Sequence, residues 1–286
     1  MNPTILFIMV CYHNEHEVAA FVREQLGIFQ RQSFEYVIVD NGSTRPELLE
    51  ALTAGSGAFL CKPGMNLGYF GGAWAGIQYY LEMGHTSLPE IVILCNTDIS
   101  FDGVDFPERL QHSIQAMKPD ILGPCIISSR RGVHQNPYIP RRIPARKLRF
   151  FQEVTRNFLL YNAFLLCYYL VSLMRRGCTA RMSPLEAGTY YSLHGSFLIF
   201  TSGFFQKKGH LDYGSLLYGE EIFLGEMARL QSMKVCYTPG IRIYHREHAT
   251  TGLFKNRGQV KKLHESYTYL FRRFYAGTSP EQTKTK

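Results

Sequence analysis

The stretch IVILCNTDIS, Ile91 to Ser100, decides the reading of the fold. Five mostly apolar, β-prone residues run without interruption into Asn96-Thr97-Asp98. An apolar run with no polar alternation marks a strand covered on both faces, the pattern of a parallel sheet under helices. Such a strand has little reason to end on an amide and a carboxylate unless they serve something. In α/β sheets ligands gather at the carboxyl ends of the strands. Asn96 and Asp98 are separated by one residue, so on an extended backbone they point the same way. Together they suit a ribose hydroxyl and a divalent cation of the Mg²⁺ or Mn²⁺ type, which prefers hard oxygen donors.

The same grammar extends toward the N-terminus. Ile5 to Val10 is a continuous apolar strand, and Glu15 to Phe29 has near-helical apolar spacing. Tyr36 to Val39 is a second strand that ends on Asp40, in VDNGST. Asp40 suits a hydrogen bond from a base N–H or a ribose hydroxyl, and it equally suits an Asx turn with Asn41-Gly42. Pro46 to Leu52 reads as helix and Ala58 to Cys61 as a third strand. NLGYFGGAWAG, starting at Asn66, then places Gly68, Gly71, Gly72 and Gly76 around a helix start. Glycines there let backbone N–H groups approach a phosphate or sugar closely. The spacing is neither a dinucleotide fingerprint nor a P-loop. Strand and helix alternate, which predicts an α/β fold with a mostly parallel central sheet flanked by helices.

From Pro137 the composition changes. NPYIPRRIPARKLRF reads as a loop or domain boundary. The 17-residue apolar run Phe158 to Met174 has basic flanks. It reads as an interfacial helix, with a core helix and a short span as the alternatives. Tyr191 to Thr201 returns to strand character, and LYGEEIFLGEMARLQSMK is helical with Glu220 and Glu221 in its first turn. Neighbours on a helix lie roughly 100° apart, so only one of the two faces a cleft squarely. One of them is a candidate general base, against plain stabilisation of the helix dipole. Val235 to Tyr237 and Ile241 to Tyr244 read as two short strands. His245 follows the second as a possible metal ligand, with His248 a weaker one. Residues 255–275 form a basic, aromatic helix.

Composition narrows the class. The chain has 286 residues, 45% of them hydrophobic, and a net charge of +8. The charge suits a phosphate-bearing substrate or an acidic membrane surface. No zinc-finger spacing, RNA-binding signature or basic arm is present, so nucleic acid is not an expected partner. Seven cysteines without a C-x-x-C pair suggest reduced thiols in a cytoplasmic protein. The N-terminus does not read as a signal peptide.

Taken in order, CYHNE, VDNGST, NLGYFGGAWAGI, CNTD, HGSFLIF, YGEE and YHREHATTG resemble the family 2 inverting glycosyltransferases of the GT-A fold. Bacterial rhamnosyl- and galactofuranosyl-transferases of surface polysaccharide synthesis are the nearest group. The resemblance covers roughly residues 4–250, and weakly in the middle. It implies that Cys11, Tyr12 and Asp40 meet the donor base, with Asn66, Gly68 and Asn96 on the rest of the donor nucleotide. It implies that Asp98 and His245 hold Mg²⁺ or Mn²⁺, that Glu221 (with Glu220 beside it) is the base, and that His194, Gly195 and Ser196 lie on the acceptor side. Asn96 stands where the family has an aspartate, and so does Glu221.

The expected organisation is a nucleotide-sugar-binding half (1–136), a basic and apolar helical insertion associating with membrane (137–182), a smaller acceptor-binding and catalytic lobe (183–254) and a basic C-terminal helix and tail (255–286). The implied partners are a UDP- or dTDP-sugar donor and a lipid-linked oligosaccharide acceptor of O-antigen or capsule synthesis, met at the inner face of the cell membrane. Self-association is left open. A sugar nucleotidyltransferase would need a Gly-rich, Arg-containing loop where CYHNEHEV stands. A catalytically decayed glycan-binding protein remains the other alternative, given Asn96 and Glu221.

Overall fold

The computed structural model describes residues 5–29, 33–54, 57–175, 185–246 and 254–276. The first half runs β1 (Ile5–Cys11), α1 (Glu15–Glu24), a 3₁₀ turn (Leu26–Phe29), β2 (Phe34–Asp40), α2 (Pro46–Thr53), β3 (Ala58–Cys61) and α3 (Gly68–Glu82). Then come β4 (Ile91–Cys95), β5 (Ile99–Phe101), α4 (Phe106–Met117), β6 (Ile121–Ser128), α5 (Ala145–Thr155) and α6 (Phe158–Arg175). The chain closes with β7 (Gly188–Thr189), β8 (Phe197–Thr201), α7 (Ser202–Gln206), α8 (Glu220–Leu230), β9 (Val235–His245) and α9 (Arg257–Phe274).

One sheet organises these elements, in the order β3-β2-β1-β4-β8-β6-β9-β5, with β7 paired to β9. The apolar strands alternate their side chains between two layers. Leu6, Ile8, Val37, Val39, Val92 and Leu94 pack under α3 and α8. Ile5, Phe7, Met9, Ile38, Ile91 and Ile93 pack under α1 and α4. Burial on both faces is why these strands carry no polar alternation.

The expectation of a mostly parallel sheet holds for β3-β2-β1-β4 and for the β6-β9 pair. Among the described strands four pairings are parallel and four antiparallel. The reason is β8, which enters antiparallel between β4 and β6. Tyr191 to Ser196 is not part of that strand; it leads into it through a bridge from Ser192 to Ile139. The two short strands expected after Val235 are one strand, β9. Its register against β6 jumps between Pro124 and Cys125, leaving Pro239, Gly240 and Ile241 unpaired with β6. Proline cannot donate to a ladder, so the interruption falls where the sequence reads as a break. The segment expected to be loop around Pro137 is helical from Ala145, and its Leu148 is buried.

α6 is one helix as expected. Tyr161, Phe164 and Leu165 face the small core made with Val154, Val260 and Leu263. Leu159, Leu160, Leu166, Tyr168, Leu170, Leu173 and Met174 are exposed. Among the described residues no helix is long and apolar enough to cross a membrane, which removes the spanning alternative. The described cysteines are free thiols, all buried except Cys167.

Candidate active site

The carboxyl ends of β1, β2, β4, β6 and β9 lie along one edge of the sheet, joined there by the amino end of β8. That edge collects most of the expected residues. Cys11 pairs in register with Asp40. The Asn96 N–H donates to the Ser196 carbonyl at 2.8 Å. Ser128 pairs with His245.

Asp98 and His245 meet through a strand that the sequence reading did not resolve. β5 begins one residue after Asp98, and its Ile99 pairs with His245 on β9. The result is Asp98 Oδ2 at 3.2 Å from His245 Nε2, with both side chains nearly buried. Gln135 Oε1 lies 2.9 Å from His245 Nδ1 and accepts its proton. That bond orients the ring and turns Nε2 toward Asp98. Asp98 Oδ1 is buried and has no hydrogen-bond partner among the described residues.

This geometry fits a hard divalent cation. Adjacent ligands about 2.1 Å from an octahedral ion sit about 3 Å apart, close to the separation observed. A buried carboxylate oxygen without a donor is costly unless something positive completes it. Among the described residues no group of three His, Cys, Asp or Glu side chains could hold a metal, so an ion there would need oxygens from a ligand or water. His248 lies outside the described residues.

Glu220 and Glu221 open α8, after Gly219 at φ +85°. Glu221 Oε1 accepts from the Gly195 N–H at 3.4 Å. An added Cβ on Gly195 would lie 3.3 Å from that oxygen, a tight contact that the Glu221 side chain would have to yield to. Next to it, His194 Nδ1 accepts from the Ser196 N–H at 3.2 Å, and its ring stands edge-on to His245 at 5.7 Å and to Tyr138 at 5.2 Å. The acceptor-side trio therefore bridges the Asp98–His245 pair to Glu221. Burial, and then the charge of Glu221, pushes Glu220 up to about 8. Burial raises Glu221 as well, against the pull of its N–H donors.

The other expected donor residues are placed less uniformly. Asp40 accepts from Ser43 N–H at 2.8 Å, Gly42 N–H at 3.2 Å and Ser43 Oγ at 2.8 Å. This is the Asx-type turn, and it holds the carboxylate at the edge. Tyr12 is exposed beside Gly42. Cys11 does not present its thiol there. The thiol is buried under α1, where desolvation pushes it up to about 12, and only its backbone reaches the edge. Asn66 and Gly68 are tied down by Asn41, whose amide donates to Asn66 Oδ1 at 3.0 Å and to the Gly68 carbonyl at 3.1 Å. A Cβ on Gly76 would lie 2.6 Å from Val39, and one on Gly72 3.0 Å from Val10. These two glycines seat α3 on the sheet and do not line the edge.

Several functional candidates were missed. Asn14 donates to Thr97 Oγ1 at 3.0 Å, pinning the loop after β1 to the loop after β4. Glu15, nearly buried, accepts from the Thr44 and Arg45 N–H groups and fastens VDNGST. Burial would raise its pKa, but those donors outweigh it and hold it low. Tyr69 has a buried hydroxyl with no hydrogen-bond partner among the described residues. Burial above all, with the nearby carboxylates adding to it, keeps it a protonated donor. The only sequence signal for it was its place inside NLGYFGG, where the glycines drew the attention.

A cleft of about 1110 Å³ opens on Glu220 and Glu221 and extends to α5, α6 and α9. Asp98 and His245 do not line it, so the two carboxylates of α8 stand between the edge site and the cleft.

No family model matches the chain, and no curated protein matches it in sequence. Solved structures do match in shape. The structure of GalNAc-T7 with UDP, GalNAc and Mn²⁺ aligns at a TM-score of 0.56 and 12% identity, over 91% of this chain and 48% of that one. Staphylococcus aureus TarS 1–349 in complex with UDP-GlcNAc aligns at 0.52 and 12% identity, over 95% and 67%. A mycobacterial protein aligns at 0.51 and 14% identity, over 96% and 75%. The chain spans about half the length of the GalNAc-T7 structure. At these identities the likeness is one of architecture, and it places the chain in the GT-A fold shared by glycosyltransferases.

Proposed function

We propose that the chain is an inverting glycosyltransferase of the family 2 type. It moves a sugar from a UDP- or dTDP-linked donor to a hydroxyl of a lipid-linked glycan, in O-antigen or capsule synthesis. One observation carries this reading. A buried carboxylate oxygen of Asp98, unpartnered among the described residues, stands beside His245, and the His194–Ser196 segment links that pair to Glu221. The GT-A fold and the order of the seven motifs support it.

The donor lies across the sheet edge. Asp40 is held by its turn with lone pairs to spare for a base N–H. Asn96, whose amide makes no hydrogen bond among the described residues, meets the ribose. Asp98 and His245 would hold Mg²⁺ or Mn²⁺, which when bound offsets the charge that develops on the departing diphosphate. Glu221 takes the proton of the acceptor hydroxyl, with Glu220 beside it. The acceptor oxygen forms its bond to the anomeric carbon on the face opposite the diphosphate. The old carbon–oxygen bond breaks, and its electron pair leaves with the diphosphate. A carboxylate whose pKa is raised toward neutrality is the stronger base, and such help contributes about 10²–10⁴-fold. The Tyr69 O–H is left to donate to ligand oxygens between the two carboxylate centres.

The acceptor arrives from a membrane surface. The outward face of α6 is apolar, and Arg146, Arg149, Arg257 and Lys261 are exposed on the helices packed against it. Each cation near an acidic leaflet contributes about 1 kcal/mol. Peripheral attachment follows, with the edge site facing the cytoplasm.

The deciding experiment incubates the protein with UDP-, dTDP- and GDP-sugars and Mn²⁺ and measures donor hydrolysis and binding. Turnover or binding of one nucleotide class is expected. If no donor binds in the presence of the metal, the reading fails.

A further inference from the structure

Residues 134–139 run into the stretch that the sequence marks as loop, and the transfer mechanism gives them no part. They lie across the sheet edge, from β6 to the approach to β8. His134 forms a bridge with Ile127, and the Gln135 N–H donates to the Ile126 carbonyl at 2.9 Å. At the far end Ile139 and Ser192 exchange backbone bonds of 3.2 and 3.0 Å. Backbone bonds therefore clamp the segment at both ends. Loops run over the surface, where polar side chains can turn to water. Here two consecutive ones, Gln135 and Asn136, turn inward. Asn136 is only 3% exposed, and both ends of its amide are used. Its Nδ2 donates to the Pro124 carbonyl at 2.9 Å, and its Oδ1 accepts from the His194 N–H at 2.7 Å. Gly123 makes room for it, since a Cβ there would lie 2.8 Å from Asn136 Nδ2.

Each of the two side chains holds a different half of the site. Gln135 Oε1 accepts from His245 Nδ1 at 2.9 Å, which leaves Nε2 facing Asp98. Asn136 fixes the His194 N–H, and the next N–H along the chain, that of Gly195, donates to Glu221 Oε1. At 3.4 Å that bond is long for its type, so a small shift of the 194–195 backbone breaks it. Tyr138 closes the arrangement from outside, its ring edge-on to His194 at 5.2 Å. The cation half and the base half are thus held by neighbouring residues of one clamped segment.

We propose that Gln135 and Asn136 are positioning residues for these two halves: Gln135 aims His245 at the cation, and Asn136 sets Glu221 through the backbone of His194 and Gly195. The inference rests on the glycosyltransferase reading for what His245 and Glu221 do. Neither positioning residue touches a reacting atom. A hydrogen bond to the second nitrogen of a metal-binding imidazole orients the ring and raises its basicity, and its loss costs about 10–100-fold in metal affinity. Misplacing a reacting group by about 1 Å costs up to about 100-fold in rate. Because the two side chains point to different halves, the two losses separate. One appears in metal binding and the other in turnover. A segment that served the fold alone would move both together.

Titration of the full chain with Mn²⁺ in the presence of UDP, with free Mn²⁺ read by electron paramagnetic resonance, tests the first half. Gln135 is half-buried, and Gln135→Leu keeps its bulk. That variant is expected to bind Mn²⁺ about 10–100-fold more weakly. Gln135→Glu keeps an acceptor oxygen and should bind Mn²⁺ at least as tightly as wild type. Donor hydrolysis at saturating Mn²⁺ tests the second half. Asn136→Ala is expected to lower kcat about 10–100-fold, with the donor KM and the Mn²⁺ affinity unchanged. If a thermal melt shows Asn136→Ala unfolded, Asn136→Ser takes its place with the same expectation. Wild-type Mn²⁺ affinity in Gln135→Leu overturns the proposal, and so does Gln135→Glu binding as weakly as Gln135→Leu. An unchanged kcat in the Asn136 variant overturns it too, as does a loss of Mn²⁺ affinity there that matches Gln135→Leu. A wild type that binds neither UDP nor Mn²⁺ overturns the glycosyltransferase reading, and the proposal with it, so the two failures are told apart.

Discussion

Glu226 offers the sharpest test of how the catalytic helix is held. It lies one and a half turns after Glu221 on α8, and its side chain is 0% exposed. Its carboxylate accepts from Arg142, from Arg229 at 3.0 Å, from the Tyr191 hydroxyl at 2.9 Å and from the Tyr275 hydroxyl at 2.7 Å. These partners come from the middle segment, α8 itself, the approach to β8 and the end of α9. In Glu226→Gln the shape stays, so no cavity opens. The amide oxygen can still accept from Tyr275 and Tyr191, but the amide nitrogen then faces the arginine donors. Breaking a fully buried pair costs about 3–5 kcal/mol. Arg142 and Arg229 are 36% and 43% exposed, so water screens part of that loss. The expected cost is therefore about 2–3 kcal/mol, or a fall in Tm of roughly 3–5 °C for a chain of this size.

Urea unfolding with an unchanged slope measures this loss. Its pH dependence is a second check. Burial would raise the Glu226 pKa, but Arg142, Tyr275 and Tyr191 outweigh it and hold the group below its ordinary 4.5. Stability from its ionised form is therefore complete above 4.5 and is lost as pH falls through the lowered value. The gap between wild type and variant should close in acid. A loss below about 0.5 kcal/mol at neutral pH, or a gap that widens in acid, would refute the reasoning.

Four further outcomes are expected. Glu221→Gln should retain nucleotide binding while transfer drops about 10²–10⁴-fold, the range of a general base; near-normal turnover would remove Glu221 from the role. Asp98→Ala should abolish the metal-dependent part of donor binding in calorimetry, and binding equal to wild type would sink the cation assignment. The acid limb of kcat/KM should lie above 4.5, because burial raises the pKa of the Glu221 base. Activity should rise with pH through it because the base must be ionised, and a limb at or below 4.5 contradicts this. Leu166→Glu/Leu170→Glu on the outer face of α6 should release the protein from vesicles containing acidic lipid in a flotation assay; unaltered flotation would argue against α6 as the contact.

How much of this was legible in the residues varies by element. The buried strands could be read because continuous apolar runs leave few alternatives, and CNTD and YGEE stood out as charge where burial was expected. Helix α5 was missed because the prolines before Ala145 read as loop, while its single buried leucine is a weak periodic signal. The glycines of α3 were read for phosphate contact, yet Gly72 and Gly76 face Val10 and Val39, partners supplied by distant strands. Cys11 was assigned to the donor by its position after β1, but the side-chain alternation of that strand turns its thiol into the core.

By itself the sequence determined the layered α/β architecture and the carboxylates at its strand ends, because burial and periodicity are properties of local runs. Which groups meet was decided by the tertiary structure alone. Asp98 reaches His245 only because three residues of β5 pair with β9, and Glu221 reaches that pair only because β8 inserts antiparallel beside β4. Such pairings depend on backbone hydrogen bonds between segments far apart in the chain. No local pattern of side chains records them.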